Sequence, residues 1–323
     1  VATRLQRAGR GRWRAAACAA LGCGALACAR IGAMAGDDGG AGAGAVDRPA
    51  IDLGIVPPDG SPLADAFAPA DLAPRVGEVY AHSDLTLFRF DPVGGTFVTV
   101  GDFSCLKVSE GVAEMLDIAI DRAGNMVGTA AMSEHTVITG RLVSIDKATA
   151  ACTVLKTGSY PNSLAFVPIG TVLPDREALV GYVNDAYVRI DPDTGNVTGI
   201  GNLNAPGAPN PWMSSGDIVS IVGGGTYVTM IPKGSVSADP QGDRIAEVDP
   251  ATGTILRVIG ATGASGLFGL GYWGGIAYGF SNTGLLVKID LTTGAGTPIP
   301  ITGAPAAGFY GAGTTTIAPI IVE

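Results

Sequence analysis

RIDPDTGNVTGIG, residues 189–201, admits three readings. Asp191-x-Asp193 could open a calcium loop. Gly195, Gly199 and Gly201 could cradle a phosphate. The whole stretch could instead be a turn between two strands. A calcium loop of the EF-hand kind wants Asp or Asn at its fifth position, Gly at its sixth and Glu at its twelfth. Here those places hold Gly195, Asn196 and Asn202. A phosphate cradle needs a helix N-terminus behind it, but Gly201 runs into a Pro-rich stretch. The turn has a mechanism. The Asp191 side chain can accept N–H groups two residues on, Pro192 presets φ, and Gly195 tolerates positive φ. The residues before it alternate, Val188 and Ile190 against Arg189 and Asp191, as a half-buried strand does.

A turn that recurs is a ruler, and this one recurs. FRFDPVGGTFVTVG ends at Gly101, VSIDKATAACTVLKTG at Gly158, AEVDPATGTILRVIG at Gly260 and VKIDLTTGAGTPIP at Pro300. The turn-forming residues are Asp91, Asp146, Asp191, Asp249 and Asp290. A second motif, a strand of small residues, stands beside each unit: MLDIAIDRAGNMVGTA (115–130), NSLAFVP (162–168), SGDIVSIVGGGTYVTM (ending at Met230), LFGLGYWGGIAYGF (267–280) and FYGAGTTTIAPI (309–320). Four strands in some 40–58 residues are one β-propeller blade. The sequence therefore predicts an all-β chain, a single β-propeller of five four-stranded blades. A sixth blade would need a unit hidden in 202–243. The first turn motif lacks an innermost strand and FYGAGTTTIA lacks anything after it. The C-terminal strand is thus expected to pair into the N-terminal blade and close the ring, which removes exposed edges. The expected blades are 76–103 with 309–320, then 115–157, 162–201, 214–260 and 266–300.

The first 75 residues read differently. VATRLQRAGRGRWR carries five arginines and no acid, AAACAALGCGALACA is weakly apolar, and Ala33-Met34-Ala35 offers a small-residue cleavage site. That is a secretory signal pattern over 1–35; Cys23 after Ala-Leu-Gly leaves a lipoprotein variant open. Residues 36–75, rich in Gly, Ala, Pro and Asp, are expected to be a disordered acidic linker, and 76–323 the propeller. Cleavage after Ala35 removes six arginines and no acid, leaving 14 Lys and Arg against 29 Asp and Glu and moving the net charge from −9 to −15. Such a surface repels nucleic acid and anionic lipid. The expected protein is extracytoplasmic and monomeric, and touches a membrane only through a lipid anchor if it has one.

GLGYWGGIAYGFSNTGLLVKID followed by FYGAGTTTIAP resembles the closing part of a group of uncharacterised secreted and lipoprotein β-propellers of myxobacterial type. The acidic Gly-rich linker is similar too, as are Cys105 after the first blade and Thr149-Ala150-Ala151-Cys152 in the second. More loosely, the blades resemble NHL- and YVTN-type repeats. The resemblance implies the fold and secretion. It implies no activity and no site residues.

Candidate chemistry is sparse. Cys105 and Cys152 fall in neighbouring blades and read as a disulfide in an oxidising compartment, or as two separate thiols. The loops of one ring face are expected to hold His82, Asp84, Glu134, His135, Asn184, Asp185, Trp212 and Asn282, either around a ligand pocket or as plain solvated residues. Asp117 and Asp217 take equivalent places at the start of two innermost strands, with Ser163, Gly269 and Gly311 in the other three blades. Paired carboxylates about 5–10 Å apart would suit a glycosidase; acids facing a channel also bind water, backbone amides or Ca²⁺. No metal-binding spacing and no nucleophile elbow is present. The expected function is a secreted or surface-tethered binding module with a protein, glycan or small ligand on its loop face, needing no cofactor, with a bound Ca²⁺ as an open option. The alternative is a glycan hydrolase or a metal-dependent hydrolase or lyase with its acids at the central pocket.

Overall fold

A computed structural model describes residues 77–106, 112–134, 137–235, 241–306 and 308–321. The signal and linker expected over 1–75 lie outside the described residues. No helix occurs among those described. The chain forms five four-stranded antiparallel sheets. Blade 1 holds β1 (Val79–His82), β2 (Thr86–Asp91) and β3 (Thr96–Asp102). Blade 2 holds β4 (Val112–Ile120), β5 (Met126–Glu134), β6 (Val137–Ile145) and β7 (Cys152–Gly158). Blade 3 holds β8 (Leu164–Val167), β9 (Ala178–Val183), β10 (Ala186–Ile190) and β11 (Val197–Asn202). Blade 4 holds β12 (Trp212–Ile221), β13 (Gly225–Pro232), β14 (Arg244–Val248) and β15 (Ile255–Ala261). Blade 5 holds β16 (Leu267–Trp273), β17 (Ile276–Ser281), β18 (Leu286–Ile289) and β19 (Gly296–Pro298). The last strand, β20 (Gly311–Thr314), is the innermost strand of blade 1. It pairs with β1 from His82↔Gly311 to Val79↔Thr314. The ring thus has five blades, and 202–243 hides no sixth.

All five ruler aspartates form the expected turn. The Oδ1 atoms of Asp91, Asp146, Asp191, Asp249 and Asp290 each accept the amide two residues on, from Val93, Ala148, Asp193, Ala251 and Thr292. Four residues after each Asp the backbone adopts positive φ, at Gly95, Gly195, Gly253 and Gly294 and, in blade 2, at Ala150 with φ 60°. Only there does a residue with a Cβ take the left-handed conformation in this turn.

Each blade interface has its own apolar core. Tyr80 and Leu87 meet Met115 and Ile118 between blades 1 and 2; Val127 and Leu142 meet Leu164 and Leu179 between blades 2 and 3. At the seam between blades 5 and 1 the core is aromatic: Phe90, Phe97, Tyr278, Phe280 and Phe309 pack with ring centroids 4.8–6.2 Å apart. Large rings bury the most apolar area per residue and add edge-to-face attraction, which suits the one seam joined by chain ends distant in sequence. Cys105 and Cys152 are disulfide-bonded, Cα to Cα 5.2 Å, tying blade 1 to blade 2.

Residues 315–319 leave β20 and cross the end of the channel on the turn side. Thr315 bridges Ile120 of blade 2 and its Oγ1 accepts the Glu78 amide. Thr316 donates to Glu177 of blade 3, and its carbonyl accepts the Val222 amide of blade 4. The Pro319 carbonyl accepts Gly274 N–H of blade 5. Thr315, Thr316 and Ala318 are buried. The C-terminus closes the ring and also caps one end of it.

Candidate functional site: the axial mouth

The five inner strands β20, β4, β8, β12 and β16 touch in that order and return to β20. Reading the same place in each gives Gly311, Asp117, Ser163, Asp217 and Gly269, and the next residues are Ala312, Ile118, Leu164, Ile218 and Leu270. The backbone amides of this second set are directed at two carboxyls. Asp117 accepts from Ile118 at 2.8 Å and from Leu164 of blade 3 at 2.7 Å. Asp217 accepts from Ile218 at 2.6 Å and from Leu270 of blade 5 at 2.9 Å, with the Ala312 amide of blade 1 acting on it as well. The two carboxyls also hydrogen-bond each other. Every blade is therefore tied to this pair at the axis. Gly269 and Gly311 are required by the close approach. A Cβ on Gly311 would lie 2.4 Å from Asp117 Oδ1 and from His82 Nε2; one on Gly269 would lie 2.8 Å from the Gly311 carbonyl carbon.

Both carboxyls are wholly buried. Desolvation raises both above the usual Asp range, Asp217 to about 8, with the charge of Asp217 adding to the rise at Asp117. Two carboxyls in hydrogen-bond contact require one proton between them, because like charges at that separation cannot both persist out of water. The pair thus keeps at least one proton and faces five N–H donors.

His82 sits beside this pair, fully buried at the end of β1, not on an exposed loop. Its Nδ1–H donates to the Ser83 carbonyl at 2.7 Å, and Nε2 lies 4.0 Å from Asp117 Oδ1 without a hydrogen-bond partner. Burial lowers its pKa to about 4, so the ring is neutral at neutral pH. Ser163 Oγ, at the equivalent place in blade 3, is likewise buried without a partner.

Just above this level, toward the loop face, lies a cavity of about 160 Å³. Each blade contributes the residue immediately before its axial position: Tyr310, Leu116, Asn162, Gly216 and Phe268. Three of these exist because the inner strands bulge there. The pairing register slips between Met115 and Asp117, between Ser214 and Ile218 and between Leu267 and Gly269, leaving Leu116, Gly216 and Phe268 outside the ladder, as bulges that re-aim side chains do. Glu114 and Ser215 complete the wall. Glu114 is half-buried; desolvation first, and then the charge of Asp84, raise its pKa. Tyr310 is raised by burial and by the same two acids. Asp84 and Glu114 therefore share one corner of the mouth. A third buried acid, Asp243, lies behind it, accepting the Leu267 amide at 2.9 Å and the Ser215 hydroxyl at 3.1 Å.

Asn184, Asp185, Trp212 and Asn282, also expected on the loop face, do not line this mouth. Asn184 is exposed at φ 57° in the β9–β10 turn. Asp185 pairs with Lys233 at 2.5 Å; burial pushes its carboxyl up, but bonds from Lys233 and Asn202 outweigh that and hold it low. Trp212 exchanges two backbone bonds with the Asn204 side chain and packs on the core between blades 3 and 4. Asn282 is exposed in the β17–β18 turn, its amide on the Gly266 carbonyl. Glu134 ends β5 with its side chain outside the described part, and His135 lies outside the described residues. Among the described residues no group of three or more His, Cys, Asp or Glu is placed to hold a metal ion. The sequence reading missed the mouth itself. Its signal was present: the column one residue before Asp117, Ser163, Asp217, Gly269 and Gly311 contains Phe268 and Tyr310.

A larger cavity, about 430 Å³, opens on the opposite face between blades 2 and 3, beneath Asp191 and Asp193. Its apolar floor includes Val127, Phe166 and Leu179. At its rim Arg176 and Arg189 sit close to Asp191, so that charge is answered within the protein. It draws on two blades and has no connection to the axial groups, so the mouth is the better candidate despite being smaller.

A family model described as "Repeat of unknown function (DUF6923)" matches residues 180–316, from the second strand of blade 3 through the ring-closing strand. No curated protein matches the sequence. Among solved structures, the chain is similar to regucalcin, a calcium-binding protein of Agrobacterium tumefaciens, at 15% identity over 76% of each chain with a TM-score of 0.38. A luciferin-regenerating enzyme is 12% identical over 78% of this chain and 80% of its own, TM-score 0.39. An oligogalacturonate lyase in complex with manganese is 15% identical over 68% of this chain, TM-score 0.36; the chain spans 61% of that lyase's length, less than two thirds. At these values none of the three bears on site or activity.

Proposed function

We propose that this protein is a non-enzymatic binding propeller whose ligand enters the axial mouth. One observation carries the reading: the two inner-strand carboxyls, which would be the catalytic pair of a hydrolase, spend their acceptor positions on inner-strand amides and on each other. A general acid needs a proton it can deliver and a base needs a free lone pair within reach of substrate. Asp117 and Asp217 are buried, bonded on both oxygens and capped on the turn side by residues 315–319. Above them the mouth offers aromatic walls and a few polar groups, the usual make-up of a binding pocket. An extracytoplasmic setting is part of the proposal. The Cys105–Cys152 disulfide and the resemblance to secreted and lipoprotein propellers of myxobacterial type support it.

The test is a glycan array and small-ligand panel on the full chain, run beside a hydrolase and lyase panel. Ligands are expected to bind the native protein and Leu256→Ala, an outer-strand variant, but to be lost on Phe268→Ala, with no turnover. Turnover that disappears in a folded Asp117→Asn variant would overturn the proposal.

A further inference from the structure

The chemistry of the mouth selects among ligands. Its walls include two aromatic rings, Phe268 and Tyr310, contributed by adjacent blades 5 and 1. Glu114 lines it and Asp84 stands close enough to act on both Glu114 and Tyr310. Among the described residues, no Lys, Arg or His lines the cavity. Beneath it the proton-holding Asp117–Asp217 pair and the neutral His82 beside it supply no positive charge. Field from the acidic wall is therefore negative with no cation at the floor to offset it, and a half-desolvated cavity weakens the screening that would blunt it. Aromatic faces present negative charge density too, and attract cations within about 6 Å of the ring. Two buried atoms at floor level, Ser163 Oγ and His82 Nε2, lack a partner in the protein. A neutral sugar would leave the acidic corner uncompensated, and an anion would be repelled by the acidic wall. The cavity, about 160 Å³, has room for a methylated ammonium group but not for a long chain.

We propose that the axial mouth binds a small organic cation, an ammonium group held between the Phe268 and Tyr310 rings with Glu114 and Asp84 as counter-charges. This inference rests on the mouth being the ligand site. It goes further by naming the charge and size of what enters.

Tetramethylammonium, followed by broadening of its methyl proton resonance on titration with the full-length protein at low salt, is the probe. Tert-butanol, close in size and neutral, is the control. Saturable binding of tetramethylammonium is expected, at least tenfold weaker in Glu114→Gln and in Phe268→Ala, with no saturable binding of tert-butanol. Should Phe268→Ala fail to fold, Tyr310→Leu takes its place and is expected to weaken binding likewise. Equal binding of both probes overturns the charge selection. Tetramethylammonium binding unchanged in Glu114→Gln and Phe268→Ala overturns the site. If neither probe binds while panel ligands are still lost on Phe268→Ala, the cation inference fails and the mouth remains the binding site. If neither probe binds and Phe268→Ala leaves the panel ligands bound, both readings fail.

Discussion

Asp117 of blade 2 and Asp217 of blade 4, a hundred residues apart, hydrogen-bond each other at the propeller axis and share the inner-strand amides of all five blades. The two halves of this arrangement match. Each Asp takes its following amide and the corresponding amide of the next blade. Behind each, a threonine at the matching place in the second strand reaches a carbonyl of that next blade: Thr129 Oγ1 bonds Pro161 O at 2.9 Å and Thr229 Oγ1 bonds Leu267 O at 3.3 Å. Blades 2 and 4 are alike in this respect, and blades 3, 5 and 1 receive. An odd ring is closed by letting Asp217 also face the Ala312 amide.

The shared proton makes stability depend on pH. The raised pKa of the pair means the folded protein holds a proton that the unfolded chain releases above about pH 4. By linkage, stability falls as pH rises from there through about 8, the value for Asp217. Glu114 and Asp243, both raised chiefly by desolvation, add to the fall. His82 opposes it: its folded pKa of about 4 lies below the ordinary 6.5, so its contribution grows as pH rises through that interval. Urea midpoints are therefore expected to change little or fall gently between pH 4.5 and 6.5, and to fall more steeply between 6.5 and 8. His82→Phe should remove the opposing part and steepen the acid-side fall. A midpoint that rises between pH 6.5 and 8 would refute the shared proton.

The disulfide is expected to be a stabiliser of ordinary size. It closes a separation of 47 residues between neighbouring blades, and a cross-link of that span contributes about 2–4 kcal/mol, chiefly by restricting the unfolded chain. Cys105→Ser/Cys152→Ser should lower the unfolding free energy by that much and leave the mouth's ligand binding intact. A loss of binding along with stability would mean that the blade 1–2 seam positions the mouth.

The turn ruler makes a sharper distinction between two positions with the same backbone. A Cβ on Gly253 would lie 2.3 Å from Tyr187 Cγ as well as at φ +67°, so Gly253→Ala should cost at least about 2 kcal/mol from overpacking and backbone strain together. Ala150→Gly in blade 2 relieves the same strain but gives the unfolded chain more freedom. The two terms are each about 1 kcal/mol, so little net change is expected. Thermal unfolding of the two variants checks both.

The turns were legible in the sequence because an Asx turn demands an Asp and a residue tolerant of positive φ at fixed spacing, chemistry local enough to repeat visibly. Ring closure was legible from the missing strand at one end and the spare one at the other. Asp117 and Asp217 could be placed in equivalent positions, but not in contact. Their meeting depends on five strands converging from across the chain and on the absence of a Cβ at Gly269 and Gly311. The mouth was illegible for a related reason: Leu116 and Phe268 look like ordinary strand residues until bulges at Met115–Asp117 and Leu267–Gly269 turn them toward the axis. His82 looked like a loop residue and is instead the last residue of β1. Trp212 looked like a rim aromatic, but it is held by Asn204 and packed on a core. Nothing local in the sequence marks which loop polar residue faces a cavity and which pairs with a neighbour, as Asp185 does with Lys233.

Equilibrium unfolding of Asp117→Asn and Asp117→Ala at pH 7 tests the structural role of the axial pair most directly. Asparagine keeps a donor toward Asp217 and one acceptor for an amide, so Asp117→Asn should cost about 1–3 kcal/mol. Alanine strips both acceptors and leaves Asp217 buried without its proton partner, so Asp117→Ala should cost about 3–5 kcal/mol. Carboxylates kept for catalysis commonly burden the fold, and their removal stabilises it. A protein made more stable by Asp117→Ala would contradict the account and return the pair to the candidates for an active site.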